Sequence, residues 1–224
     1  MNTSISITLR QAIEYAIDKE ELVEIAYESY GEARDFWSPQ GCWFYNDYNP
    51  YTYDLDKAKE LLAESEAGEG TELELAIISR EPDATIAQAI QYQLSKIGLK
   101  ITINAMDAAS WVAYVRENHD HDMTLANVTG AGFAPSTYWR YILLPIGDEA
   151  VMDDMRALLD QTVVTIDINE RKALIDEYQT TLMDLAAFCP IGTPYSYAGF
   201  NSAVQGVRVN YWGWTELANA YIAQ

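Results

Sequence analysis

The chain has 224 residues, enough for one generous domain or one and a half. Apolar residues make up 49% and aromatics 12%, which supplies a real core and excludes a disordered chain. Fourteen basic against thirty-four acidic residues leave a net charge of −20, which opposes binding to phosphate backbones or anionic lipid, so no nucleic-acid partner is expected.

The first predicted element is a helix over residues 8–28, broken near Asp18. Leu9, Ala12, Ile13, Ala16 and Ile17 recur at helical spacing, and Leu22, Ile25 and Ala26 continue the pattern. A long irregular stretch from Gly31 to Tyr53 follows, dense in aromatics that include Phe36, Trp37, Trp43, Phe44, Tyr45, Tyr48 and Tyr51. Loops of this length are uncommon unless functional or disordered, and the aromatic content argues against disorder. Asp54 then caps a helix to about Glu66, ended by Gly68 and Gly70.

A βαβ unit comes next. Leu73, Leu75 and Ile77 alternate as in a strand with one buried face; Ile86, Ile90, Leu94 and Ile97 mark a helix; Leu99, Ile101 and Ile103 form a second strand. This order implies a parallel pair with a right-handed crossover. A short helix near Ala108 carries Trp111 and Tyr114, and Asp122 to Asn127 reads as a third strand. Further helices are expected from Ser136 to about Leu144, from Asp148 to about Thr162 and from Asn169 to about Ala187. Strands follow from Ile191 to Phe200 and from Val204 to Val209. The fold class is α/β (α+β), a mixed sheet flanked by helices.

Few constellations point to chemistry. Gly130-Ala131-Gly132 lacks the third glycine and the lysine of a phosphate loop. Ser136 sits in no nucleophile elbow, and both histidines lie in one short run, so a Ser-His-Asp triad has no support. Carboxylates abound, but nothing singles out a pair for glycoside hydrolysis. Asn118-His119-Asp120-His121-Asp122 holds four potential metal ligands in a row; it reads as a polar turn into the following strand rather than as a complete metal site. Cys42 and Cys189 form no Cys-x-x-Cys pair, which points away from a cysteine-based zinc site. No cofactor and no catalytic residue is expected. Sixteen Tyr and six Trp suit a partly wet surface such as a ligand cleft, although for any one of them core packing is an equal explanation.

Leu9-Arg10-Gln11-Ala12-Ile13-Glu14-Tyr15-Ala16-Ile17-Asp18-Lys19-Glu20, followed by Tyr53-Asp54-Leu55-Asp56-Lys57-Ala58-Lys59-Glu60-Leu61-Leu62-Ala63-Glu64, resembles the large lobe of the peptide- and nickel-type (family 5) solute-binding proteins that feed ABC importers. The resemblance continues through Ile86-Ala87-Gln88-Ala89-Ile90-Gln91 to Ile97-Gly98-Leu99, Trp111 with Asp122, Asn169-Glu170-Arg171-Lys172-Ala173-Leu174, Pro190 to Pro194 and Val204-Gln205-Gly206-Val207. It implies a periplasmic-binding-protein-like type II lobe. Residues 1–206 would be the large C-terminal lobe, and residues 207–224 a tail returning to an N-terminal lobe. The opening Met1 to Ile7 has neither the basic nor the apolar region of a signal peptide, and the chain is expected to be a piece of a longer receptor. That receptor would be extracytoplasmic, with an ABC permease and a small-molecule or peptide solute as partners. Alone, the lobe is expected to bind solute weakly, with its tail disordered or paired with another copy.

The resemblance also implies ligand-facing residues. The strand end and loop Asn127, Val128, Thr129, Gly130, Ala131, Gly132 and Phe133 would line the cleft, joined by Trp37, Trp43, Tyr45, Trp111, Arg140, Tyr211 and Trp212. Peptide binders of the family place an aspartate in that loop for the ligand's ammonium; here the position falls at Ala131 or Gly132, and no acidic residue lies between Asn127 and Ser136. This departure leaves room for a sugar-like or differently held ligand. Some relatives carry a disulfide in this lobe, so a Cys42–Cys189 bridge and two free thiols stand as alternatives. A hydrolase acting on sugars or peptides, and a sensory domain reusing the fold, are the competing readings.

Overall fold

The computed structural model describes residues 1–2, 5–36, 38, 40–127, 149–210 and 214–223. The expected break at Asp18 separates α1 (Ile7–Ala16) from α2 (Lys19–Tyr27). Asp18 extends its backbone and its carboxylate accepts from the Glu21 N–H at 3.0 Å, so it stops one helix and caps the next. A short strand β1 (Gly31–Ala33) opens the aromatic stretch, which otherwise runs without regular structure to Asp54. Asp54 caps α3 (Leu55–Glu64) through the N–H groups of Asp56 and Lys57.

The βαβ unit forms as read. Strand β2 (Glu72–Ile78), helix α4 (Asp83–Ser95) and strand β3 (Lys100–Met106) create a parallel pair in which Leu73 faces Ile101 and Leu75 faces Ile103. Gly98, at φ +91°, turns the chain back toward β3 in a conformation that a side chain would strain. Helix α5 (Ala108–Trp111) continues as a wider π-turn over Val112–Glu117. Strand β4 (Met123–Thr124) is shorter than Asp122 to Asn127 and joins β2 in parallel, giving the order β3-β2-β4. Beneath this sheet Leu9, Ile13, Leu22, Leu62, Leu75, Ile77, Leu94 and Leu99 form the main core, each under a tenth exposed.

Helices α6 (Glu149–Val164) and α7 (Ile168–Asp184) build a second core from Met155, Leu159, Ile175, Tyr178 and Leu182, into which Phe44 of the aromatic stretch inserts fully buried. Strand β5 (Gly192–Pro194) pairs antiparallel with β1. Among the described residues the antiparallel pairing therefore lies in separate two-stranded ladders, while the three-stranded sheet is parallel. The long strands expected from Ile191 to Phe200 and from Val204 to Val209 reduce to β5, β6 (Val204–Gln205) and β7 (Arg208–Val209). Within the described part of the tail, β6 pairs with β9 (Tyr221–Ile222) and β7 with β8 (Thr215–Glu216). Gly206, at φ +74°, permits this because a Cβ there would strike the Asn219 carbonyl. The expected helix from Ser136 to Leu144 lies outside the described residues. No helix among the described residues is long and apolar enough to cross a membrane.

The His/Asp run forms a turn into β4. Asn2 Nδ2 donates to the carbonyls of His119 and His121, and Asp122 Oδ2 accepts from the Glu74 N–H at 2.8 Å. His119 sits at φ +58°. His121 is 1% exposed with neither ring nitrogen hydrogen-bonded among the described residues, and burial holds its pKa down at about 4.

Two stability predictions follow from these packings. Leu94→Ala, at a fully buried position, should cost about 2–5 kcal/mol in urea unfolding, whereas Ile166→Ala at a 95% exposed turn should stay within about 0.5 kcal/mol. Because the folded-state pKa of His121 is depressed, its contribution is present above about 6.5 and is lost as pH falls toward about 4. His121→Gln should flatten the unfolding midpoint across that window; an unchanged slope would assign the pH response to other groups.

Candidate functional site

In an open parallel sheet, ligands favour the crevice outside the carboxyl ends of the strands. Three chain segments leave that edge here. After β2 the Ser79 N–H donates to the Met106 carbonyl at 2.7 Å, and Arg80 Nε donates to Asp83 Oδ2 at 2.9 Å. Asp83 is buried in the first turn of α4, so Arg80 is anchored by its root while its side chain stays half exposed. A cis Glu81–Pro82 peptide links the two.

After β3, Asp107 accepts from the N–H groups of Ala109 and Ser110 and from the Ser110 hydroxyl, which holds its carboxyl below the usual range. This cap starts α5 and sets Trp111, which is 5% exposed. Its Nε1 donates to Thr124 Oγ1 at 3.0 Å, and that hydroxyl donates to the Ala76 carbonyl at 2.9 Å. The Arg116 guanidinium lies 5.4 Å from the ring centroid. Trp111 thus ties β4 to β2 from within the core, a structural position rather than an open stacking surface. After β4 the chain reaches Asn127, exposed at the same edge.

Helix α2 brings a fourth segment to the edge. Gln93, near the end of α4, donates to the Asp18 carbonyl at 3.1 Å and accepts from the Asp18 N–H at 3.0 Å. The start of α2 is thereby fixed beside the end of α4, and the two helices run antiparallel. At the opposite end the Tyr27 phenol has its pKa raised by burial and by Asp83. The chain then turns through Glu28 at φ 48° and Ser29 at φ 68° into Tyr30 and β1. Tyr30 accepts a backbone bond from Tyr195 at 2.8 Å, and its ring meets Tyr197 edge-on at 5.5 Å; Tyr195 and Tyr197 are edge-on at 6.4 Å. These three rings are 61%, 48% and 69% exposed. Arg80 and the tyrosine trio are candidate residues that sequence reasoning did not single out. Tyr195-Ser196-Tyr197 carries a period-two hint, but the partnership with Tyr30 spans most of the chain and leaves no local mark.

The expected site residues divide. Trp111 and Asn127 reach the carboxyl edge. Trp43 and Tyr45 belong to the aromatic stretch on α7: Trp43 packs edge-on to Phe44 at 5.4 Å, and Tyr45 to Phe36 at 5.0 Å. That stretch is fastened by Gln179 Nε2 donating to the Phe44 carbonyl and by the Tyr48 and Tyr51 hydroxyls donating to Asp184. Trp37, Thr129, Gly130, Ala131, Gly132, Phe133, Arg140, Tyr211 and Trp212 lie outside the described residues. Of the two alternatives for the cysteines, the structure has no Cys42–Cys189 bridge. Cys42 packs on the second core and Cys189 on the first, against Glu14, so the two thiols are committed to different clusters.

The family model described as bacterial extracellular solute-binding proteins, family 5 Middle, matches residues 2–148. Heme-binding protein A of Haemophilus influenzae is 26% identical over 215 residues, covering 90% of this chain and 39% of that protein. The dipeptide-binding protein of Escherichia coli is 25% identical over 231 residues, covering 96% of this chain and 43% of its own. Among solved structures, the ABC transporter-associated periplasmic binding protein DppA from Helicobacter pylori, in complex with peptide STSA, matches with a TM-score of 0.76 and 26% identity. It covers 97% of this chain and 44% of that one. The chain spans about two fifths of the length of the curated relatives it matches. By the match over residues 2–148, this chain belongs to the bacterial extracellular solute-binding proteins of family 5.

Proposed function

We propose that this chain is the large lobe of an extracytoplasmic ABC-importer receptor and supplies one face of an interlobe cleft for an oligopeptide or related small solute. The observation that carries the reading is the carboxyl edge of the parallel sheet, which Arg80, held on Asp83, leaves after β2, together with the exposed Tyr30, Tyr195 and Tyr197 rings that α2 and the β1–β5 ladder present. A guanidinium half exposed beside exposed aromatic rings suits a solute with a carboxylate and an amphipathic body. The relatives named above include a dipeptide-binding and a heme-binding protein, so the same lobe serves chemically different cargo. Within the proposal, residues 1–206 form the lobe and residues 207–224 the tail that returns toward an N-terminal lobe. The N-terminal lobe and an ABC permease are the further partners. The loop residues Asn127, Thr129, Gly130, Ala131, Gly132 and Phe133 and the side chains of Arg140, Tyr211 and Trp212 belong to the same proposed face.

Without an acidic residue between Asn127 and Ser136, the loop offers no carboxylate for a peptide's ammonium. Affinity from one face alone lacks the water exclusion of a closed cleft, so the lobe binds weakly. Calorimetric titration of the 224-residue protein with trialanine should give a dissociation constant of about 1 mM or weaker. N-acetylation of the peptide should change it by less than about threefold, and Arg80→Ala should weaken it by about tenfold. Submicromolar binding, a large loss on acetylation, or indifference to Arg80→Ala would contradict the reading.

A further inference from the structure

Behind the tyrosine rim lies a charged cluster that solute capture does not use. Glu14, on the core face of α1, is 1% exposed, and beside Lys19 the one group that meets its carboxyl among the described residues is the weak thiol donor of Cys189. Lys19 opens α2, is 8% exposed, and its ammonium lacks a hydrogen bond among the described residues. Its Nζ stands 3.9 Å from Glu14 Oε2 and 3.5 Å from Asp35 Oδ1, so one cation is shared by a buried and an exposed carboxylate. The Cys189 thiol, on a half-buried residue, faces Glu14 from the segment before β5. Tyr51 and the Met1 amino group complete the titratable and charged groups around it.

The placement of these four side chains matters more than their number. Asp35 lies just beyond β1 and Cys189 just before β5, so the cluster grips the two strands of the ladder that carries Tyr30, Tyr195 and Tyr197. The ladder itself is short. Beyond its three paired positions it is held by the Arg34 N–H on the Ile191 carbonyl at 3.0 Å and the Tyr195 N–H on the Tyr30 carbonyl at 2.8 Å.

We propose that Glu14, Lys19, Asp35 and Cys189 form a protonation switch that sets the order of the β1–β5 ladder and, through it, of the tyrosine rim. With Glu14 neutral, Lys19 pairs with Asp35 and the uncharged carboxyl sits beside the thiol. When Glu14 ionises, its buried anion competes for Lys19 and draws the ammonium off Asp35, loosening the β1 end of the ladder. Burial pushes the Glu14 pKa up to about 7, with Asp35 raising it further and Lys19 opposing. The sign follows: a raised carboxyl pKa contributes order that is complete below about 4.5 and is lost as pH rises through about 7. The bearing on solute capture rests on the reading of the rim given above; the switch itself does not.

The test therefore uses no solute. Amide protection factors of Arg34 and Tyr195 in the 224-residue protein, corrected for intrinsic exchange, should fall at least about fivefold from roughly pH 6 to pH 8. In Glu14→Gln the change should be less than about twofold. Asp35→Asn, at an exposed position that leaves the fold intact, should shift the midpoint to lower pH, since Asp35 raises the Glu14 pKa. Equal pH responses in the wild type and Glu14→Gln overturn the proposal. Should Glu14→Gln fail to fold, a midpoint unmoved by Asp35→Asn overturns it alone. Solute titration at fixed pH stands apart, so loss of the binding reading and loss of the switch give different results.

Discussion

The seven-residue parallel ladder between β2 and β3 is the constraint on which the rest of the molecule depends. Two parallel strands cannot be joined by a tight turn, so the chain must cross the sheet through α4. Both faces of the ladder then need cover, and Ile86, Ile90 and Leu94 supply it on one side. The crossover also orients what lies further off. Gln93 holds the start of α2 at the far end of α4, which delivers Tyr27, Tyr30 and β1 to the carboxyl edge. The same geometry places Asp83 under Arg80. The candidate solute face is thus a consequence of one crossover and one buried glutamine.

The charge of the chain is handled in two ways. Part of the charge sits on helix surfaces, where pairs such as Lys57–Glu60 and Lys172–Asp176 add little energy. A few ionisable groups are instead buried at element junctions. Arg10 donates to the carbonyls of Ile5 and Leu185, bonding α1 to the end of α7 and using its charge to satisfy backbone oxygens. Glu14 and Lys19 reach no backbone oxygen in this way and instead face each other, with Asp35 and Cys189 beside them.

Much of the fold was legible in the sequence because it is local. The period of Leu9, Ala12, Ile13 and Ala16, the caps at Asp18 and Asp54, and the alternation of Leu73, Leu75 and Ile77 each act within a few residues. Motif order over the whole chain identified the family. The site was less legible. Trp111 carries a family position, yet its burial comes from Thr124 and Ala76, which no spacing announces. Trp43 and Tyr45 were expected to face ligand, and the structure adds that their neighbour Phe44 is core to α6 and α7 and meets Trp43 edge-on. Arg80 and the tyrosines were not singled out because their placement depends on helix α2 reaching the edge and on the pairing of β1 with β5. The terminal strands were overextended for a related reason. β-branched and aromatic residues favour extended backbone, but only a neighbouring strand makes it a ladder.

The central claim is that solute lies against the carboxyl edge of the parallel sheet. The most direct measurement is paramagnetic broadening in the 224-residue protein by a tripeptide bearing a nitroxide at its amino end. The account predicts that amides of Tyr30, Arg80, Asn127, Tyr195 and Tyr197 broaden together, while those around Trp43, Tyr48 and α7 stay sharp. Broadening centred on the aromatic stretch, or spread evenly over the surface, would contradict it.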